Sequence, residues 1–479
     1  MVSVLATDGY KLSMAEAGWP LRRETFYYSH RKGGPQLLPF DVERELRALC
    51  PTSAAEDHAF LLQHEYELGA GFKAAMARAG ELTVQALPRG AVFHGREPVF
   101  SVTGPSALVS WLEPLLLQWS YRIQVATLAW RAPQELAAAV GVVTCERQKA
   151  LALEAIDFAG VQAPPIRVDE AAYVARVKAQ VDALAKVTQS PVRLFEVGLR
   201  AASCMDQHLL ALAGCKAAGL TRTSNAYGAK LLGLTPVGTM GHEHVQRYGS
   251  DDAAFRAMTE RRPQRSSFLL DTFDTLASGL PAALRLIAER PGEKDSIRYD
   301  SGDKELQYRE AVKQAKALGV RPVHILEDGF DVEQTTRFEA LRKELSVEPS
   351  EQVYGYGGYL VARTSGSPLT RDRVAAVYKL SQTGHAPTMK FGNEAGSGKQ
   401  SLPGRPVLFR RVQGQGPLGL VGQEGEAAPQ GYRQLTGAAA EPVPAASSVG
   451  DGADAPALTE ATAALVAACT AKAFAGRAS

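Results

Sequence analysis

Cysteine is scarce. The 479 residues contain five, Cys50, Cys145, Cys204, Cys215 and Cys469, and no Cys-x-x-Cys pair. That scatter excludes a zinc ribbon or a disulfide framework as the source of stability, and it suits a reducing compartment. Excess charge is absent too: 53 Lys and Arg face 51 Asp and Glu, a net charge of +2. Nucleic acid is therefore not expected as a partner. Long apolar runs are missing: no uncharged stretch approaches the roughly 18–20 residues that span a bilayer, and Asp8 interrupts the first apolar run before a signal peptide could form. The reading is a cytoplasmic protein with no membrane attachment. Hydrophobic residues at 45% and charged residues at 22% are enough for several domains with a core that needs no covalent staples.

Between about 80 and 130, short runs of β-formers (82–84, 91–93, 99–102) alternate with Pro88-Arg89-Gly90 and Gly104-Pro105, which predicts a small mixed α/β unit. Val174, Val177, Val181 and Leu184 fall at helical spacing and predict a helix with one buried face. From 194 onward a rhythm of short β-like runs, at 194–197, 235–239, 267–270, 296–299, 322–326 and 352–354, is separated by Ala-, Leu-, Glu- and Lys-rich stretches. Strands alternating with helix-sized connections imply parallel pairing. Arg200, His242, Asp271, Asp300, Asp328 and Gly355 each follow one of these runs. Polar residues at the carboxyl ends of many successive strands favour a (β/α) barrel, complete or not, over an open sheet with one switch point. After Arg411 the composition turns to Gly, Ala, Pro and Gln, which predicts a flexible connection and a short helix near 458–475.

Three segments have the makeup of anion sites. Ser296-Ile297-Arg298-Tyr299-Asp300-Ser301-Gly302-Asp303 brings a cation, two acids and a glycine turn to one strand end, a set suited to a phosphorylated sugar. Tyr354-Gly355-Tyr356-Gly357-Gly358 and Leu326-Glu327-Asp328-Gly329 can bring backbone N–H groups close to a phosphate. In Gly238-Thr239-Met240-Gly241-His242-Glu243-His244 the His-x-His invites two readings. His242 and His244 could be metal ligands with Asp300 or Asp271, as in a barrel metallohydrolase. Alternatively, one histidine is a nucleophile whose tautomer is set by Glu243 or another acid. Finally, Thr221-Arg222-Thr223-Ser224-Asn225 before Ala226-Tyr227-Gly228 predicts a helix cap able to stabilise an anion.

In this order, these segments resemble the nicotinate phosphoribosyltransferase family over about residues 7–411. Further motifs that carry the resemblance are Thr7-Asp8-Gly9-Tyr10, Glu196-Val197-Gly198-Leu199-Arg200, Leu270-Asp271-Thr272-Phe273-Asp274, Val377-Tyr378-Lys379-Leu380 and Lys399-Gln400-Ser401-Leu402-Pro403-Gly404. The resemblance implies a type II phosphoribosyltransferase, an α/β protein in which an irregular (β/α) barrel lies beside a mixed domain built from both chain ends. The corresponding division is 1–130 mixed, 131–360 barrel, 361–411 a return to the mixed domain, and 412–479 a flexible segment with a terminal helix. It implies a homodimer that makes nicotinate mononucleotide and pyrophosphate from nicotinate and phosphoribosyl pyrophosphate. Mg2+ is implied as cofactor and ATP as co-substrate, hydrolysed through phosphohistidine at His242.

By the same resemblance Arg200 and Arg298 face the pyridine carboxylate and the phosphate region. Asp300, with Ser301 and Gly302, meets the ribose. Thr223 and Ser224 lie at the base, and Tyr10 stacks on it from the partner subunit. Asp328, Gly329, Gly355, Gly357 and Gly358 hold the 5′-phosphate. The chain departs from the family pattern at Val197, where an aromatic residue is usual, and at Ala201, which replaces an arginine. Glu327-Asp328-Gly329-Phe330-Asp331 is closer to the sister nicotinamide enzymes, which keeps nicotinamide as an alternative substrate. Those enzymes carry an acid where this chain has Ser224.

Overall fold

A computed structural model describes residues 2–362, 369–391, 400–439, 443–446 and 455–474. Lys399 of the closing motif and most of the small-residue stretch 439–456 lie outside the described residues.

The core of the fold is a curled sheet of seven parallel strands: β1 Leu194–Glu196, β2 Arg222–Thr223, β3 Thr235–Pro236, β4 Ser267–Leu269, β5 Ser296–Tyr299, β6 Val323–Leu326 and β7 Gln352–Tyr356. The spatial order is β3-β2-β1-β7-β6-β5-β4. Every strand but one thus pairs with its successor in sequence, β7 returns to β1, and only β3 and β4 do not pair with each other, which leaves a barrel open along one seam. All six predicted runs are strands. The two-residue β2 was not predicted; Asn225 behind it caps the helix Ala226–Leu232 by accepting from Gly228 N at 3.0 Å.

Alternation along the strands decides what faces the lumen. Ile297, Tyr299, His324, Leu326, Tyr354 and Tyr356 are buried against the surrounding helices, and each large apolar side chain so buried stabilises by about 1.5–3 kcal/mol. The intervening Ser296, Arg298, Val323, Ile325, Val353 and Gly355 line a central cavity. Gly355 is required by crowding: a Cβ there would lie 2.7 Å from both Glu327 Oε2 and the Phe195 ring. The helix predicted from Val174 onward spans Glu170–Thr188, is capped by Asp169, and buries Tyr173, Val177, Val181 and Leu184.

A five-stranded sheet draws on both ends of the chain. Arg23–His30 pairs antiparallel with Phe100–Pro105 on one side and Ala376–Thr383 on the other. Tyr28 stacks on Phe100 at 4.8 Å, and Phe26 on Tyr378 at 5.1 Å. Buried ion pairs fasten this layer to the barrel. Lys11 lies 2.5 Å from Glu113 and 2.8 Å from Glu243, and Arg247 grips Glu24. Removing one member of such a pair costs about 3–5 kcal/mol, because its partner is left charged and dry.

Among the described residues after Arg411, a segment expected to be flexible, strands and a helix are present. Pro406–Arg411, Gly419–Gln423, Tyr432–Gln434 and Ala457–Leu458 form a four-stranded sheet. Its glycines serve as turns, with positive φ at Gly414, Gly416, Gly425 and Gly431. The terminal helix spans Glu460–Phe474. No helix among the described residues is long and apolar enough to cross a membrane.

Candidate active site

The carboxyl ends of the strands open into a cavity of about 480 Å3, within the usual range for a small-molecule site. It is lined by Tyr10, Arg200, Ser224, His242, Arg298 and Asp300, and by the expected phosphate loops at Asp328, Gly329, Gly355, Gly357 and Gly358. Tyr10 and Arg200, 190 positions apart in sequence, line the same cavity. Three expected contacts turn elsewhere. Thr223 is fully buried and donates to Glu196 Oε2 at 2.7 Å, Ser301 donates to Asp271, and Gly302 sits in an exposed turn at φ 85°.

At one end of the cavity, His242 opens the helix His242–Tyr248. Its Nδ1 lies 3.1 Å from Thr272 Oγ1, while Nε2 lies 2.7 Å from Lys390 Nζ, 3.4 Å from Asp300 and 3.6 Å from Asp271. An ammonium can only donate, so Nε2 accepts and the ring proton is assigned to Nδ1. Burial drives the imidazole down to about 4, and Lys390 adds to this against the pull of both aspartates. His242 is therefore neutral at physiological pH, with a lone pair on Nε2. Burial alone would raise the Asp300 carboxyl, but the cations Arg298 and Lys390 overcome it and hold Asp300 below the usual carboxylate range. Glu243, considered as the acid beside the histidine, instead accepts from Lys11 and Ser110.

His242, Asp271 and Asp300 each offer one ligand atom, all within 4.8 Å of one another. The Lys390 ammonium already stands among them, 3.6 Å from Asp271 as well. A resident magnesium would have to displace that charge and accept an imidazole, which it binds poorly. His244 takes no part: it is fully buried, with Nε2 2.9 Å from the Ala254 carbonyl oxygen. The His-x-His metal pair of the metallohydrolase reading is thus split between cavity and core.

Arg298, on β5, is anchored rather than free. It donates to Thr239 and to Met240 O, lies 3.5 Å from Asp300, and its Nε makes a 2.8 Å ion contact with Glu327 that is not aligned as a hydrogen bond. Arg200, on the turn after β1, is different. Among the described residues no hydrogen bond or ion pair holds its guanidinium. Burial opposes its charge, yet Tyr10, Glu113, Asp8 and Asp300 outweigh burial and raise its pKa above the ordinary arginine value.

Beside it, Ser224 donates to Asp8 Oδ1 at 2.6 Å, so a carboxylate stands where the sequence shows only a hydroxyl. Burial raises the Asp8 carboxyl against the opposing pull of Arg200 and Ser224. Tyr10, expected from the partner subunit, lines this chain's own cavity and donates to Glu113 at 2.9 Å. Phe195 lines the wall next to Val197, which supplies an aromatic face close to where the family's residue is missing. Lys379 also reaches the cavity, and burial lowers its amine to about 7 despite Glu113. Sequence reasoning passed over Asp8, Lys379 and Lys390; the first two stand inside quoted motifs, whereas Lys390 carries no local signal.

The curled parallel sheet, with a cation, a neutral histidine and glycine loops at its carboxyl ends, defines a half-barrel α/β protein with a polar cavity at its mouth. No protein-family model matches the chain. It is 28% identical to nicotinate phosphoribosyltransferase of Bacillus subtilis over 224 residues, 45% of this chain and 43% of the relative. It is 25% identical to that of Homo sapiens over 409 residues, 74% of this chain and 65% of the relative. The first of these matches thus spans less than half of the relative's length. The crystal structure of nicotinate phosphoribosyltransferase from Porphyromonas gingivalis superposes with a TM-score of 0.59 at 18% identity, covering 84% of this chain and 96% of that one. In the matched stretches the chain is similar to nicotinate phosphoribosyltransferases in sequence, and it shares the fold of their solved structures.

Proposed function

We propose that the chain transfers a phosphoribosyl group from phosphoribosyl pyrophosphate to nicotinate, yielding nicotinate mononucleotide and pyrophosphate. The observation that carries this reading is one cavity with a cation, Arg200, that no hydrogen bond or ion pair holds among the described residues at one side, and a neutral histidine with an available nitrogen, His242, at the other. The pyridine nitrogen attacks the anomeric carbon as pyrophosphate leaves, and the ribose passes through a cationic state. Asp300, ionised beside the phosphate loops, faces that positive charge, while Arg200 pairs with the carboxylate of nicotinate.

ATP hydrolysis is coupled through His242. Nε2 attacks the terminal phosphorus, ADP leaves, and Lys390 shifts from the imidazole to the arriving phosphoryl oxygens. Magnesium enters with the polyphosphate substrates, since Lys390 fills the acidic corner of the site. We read the sheet built from both chain ends as a second domain, and the protein as a cytoplasmic homodimer. Nicotinamide is the second reading, favoured by Asp8, whose carboxylate could hold an amide. Incubation with phosphoribosyl pyrophosphate, magnesium, ATP and either base, followed by product mass, tests the proposal. Product from neither base would overturn it, and product from nicotinamide alone would reassign the substrate.

A further inference from the structure

Two thiols outside the cavity face each other. Cys145 caps the helix Glu146–Phe158 and Cys204 precedes the helix Met205–Ala217. Their sulfurs lie 3.7 Å apart, and both residues are buried, at 3% and 6% exposure. A disulfide needs about 2.05 Å between sulfurs, so closing the gap asks each to move by about 0.8 Å, within the reach of small side-chain and backbone adjustments. Both residues have extended backbones (φ −154° and −163°), with no strain to oppose the adjustment.

Two helix N-termini converge on the pair, which favours a thiolate. The Cys204 thiol, with Gln148 N at 3.4 Å, lowers Cys145 to about 7 against burial. The buried Tyr121 hydroxyl, without a hydrogen-bond partner among the described residues, feels both thiols and can donate to an oxygen added to either. Cys215, by contrast, is buried with no second thiol beside it and is pushed up by burial.

The pair is tied to the candidate active site through the backbone. Cys204 is four residues after Arg200, and the turn Leu199–Ala201 that carries the arginine ends at Ala202. A pull on Cys204 toward Cys145 is transmitted along four peptide units to the guanidinium.

We propose that Cys145 and Cys204 form a reversible disulfide under peroxide that displaces Arg200 and weakens the cavity's grip on its anionic base. The Cys145 thiolate attacks one peroxide oxygen, giving a sulfenic acid and releasing hydroxide, which takes up a proton. The Cys204 sulfur then attacks the sulfenic sulfur, losing its own proton, and the second water departs. Two thiols and one hydrogen peroxide become one disulfide and two waters, with both electrons passing to the peroxide. A dithiol reductant reverses the change.

The disulfide itself is read independently of the proposed activity. The full chain is treated with hydrogen peroxide, quenched, alkylated and digested. The expected result is a peptide pair joining Cys145 to Cys204, 2 Da lighter than its reduced parts, that disappears with dithiothreitol. A variant with Cys50→Ser, Cys215→Ser and Cys469→Ser should behave the same way, and Cys145→Ala and Cys204→Ala should each abolish the link. Thermal melts of the alanine variants, with Cys145→Ser as a second form, separate loss of the link from loss of fold. In the oxidised triple variant the KM for nicotinate should rise at least tenfold and return on reduction. Peroxide consumed only at Cys50 or Cys469, with both inner thiols still alkylatable, overturns the proposal. So does a complete Cys145–Cys204 link with an unchanged KM. Absence of transfer activity in the reduced protein would instead overturn the functional reading and leave the link to be judged by mass.

Discussion

Arg200→Gln removes a cavity arginine whose guanidinium no hydrogen bond or ion pair holds among the described residues. Two unit charges about 4 Å apart interact by about 4 kcal/mol at the effective dielectric of a partly buried site, and truncating a desolvated charge pair costs about 2–5 kcal/mol. A central value of about 3 kcal/mol corresponds to a loss of roughly 150-fold in kcat/KM for nicotinate. Neutral nicotinamide should lose less than about tenfold. The variant also changes its neighbourhood, because Arg200 is among the groups that pull the Asp8 carboxyl down against burial. Without it Asp8 holds its proton to higher pH, so the deficit toward nicotinate should shrink as pH falls and a negative charge leaves the wall. The assay is kcat/KM for both bases at saturating phosphoribosyl pyrophosphate between pH 6 and 8. Equal losses for the two bases would mean that Arg200 holds a phosphate rather than the carboxylate. No loss for either would refute its contact with substrate.

With labelled ATP, His242→Ala should take up no acid-labile phosphate while keeping slow ATP-independent transfer; labelling equal to wild type would sink the phosphohistidine. Ser224→Asp sets a second carboxylate beside Asp8, and two acids this close share one proton. The nicotinate-to-nicotinamide efficiency ratio should therefore fall about tenfold at pH 7 and further as pH rises, whereas an unchanged ratio would leave Ser224 as a mere support for Asp8. His30 and His244 are driven to about 4 and His324 to about 3, each chiefly by burial. Because the unfolded chain binds their protons near 6.5 and the folded one does not, stability should be complete above about pH 6.5 and decline toward pH 4. Urea melts at pH 7 and pH 5 should differ by several kcal/mol, on the order of 2 kcal/mol per histidine; coincident melts would contradict neutral burial.

Much of the fold was legible because a parallel barrel repeats one simple instruction. Its longer strands, such as Ser296–Tyr299 and Val323–Leu326, carry short β-forming runs between helical stretches long enough to cross back. Arg222–Thr223 was missed because two residues have no periodicity, and the hydroxyls around them read equally well as a helix cap. The tail misled for a related reason. Gly and Pro were read as a failure to bury surface, but a small antiparallel sheet needs only a few anchors, here Val407, Leu408, Phe409, Val421 and Leu435, with glycines to make its turns. Composition averages over both and cannot separate a linker from a tightly turned sheet.

The candidate site was legible where chemistry follows a strand directly, as at Arg200, His242 and Asp300. It was not where partners come from afar. Lys390 is 148 positions from His242, Asp8 is 216 from Ser224, and Lys11 is 232 from Glu243. These distant groups decide the chemistry of the near ones. Lys390 both neutralises Asp271 and keeps a proton off His242 Nε2, so the same residue argues against a resident metal and for a nucleophilic histidine. Asp8 turns an innocuous serine into part of an acidic wall, and that wall in turn raises the pKa of Arg200. A strand-end motif thus names the candidate groups, but their charge states are set by residues that only the curled sheet and its covering layer bring within reach. Specificity for acid or amide should therefore follow the balance of Arg200 against Asp8 rather than the identity of residue 224 alone.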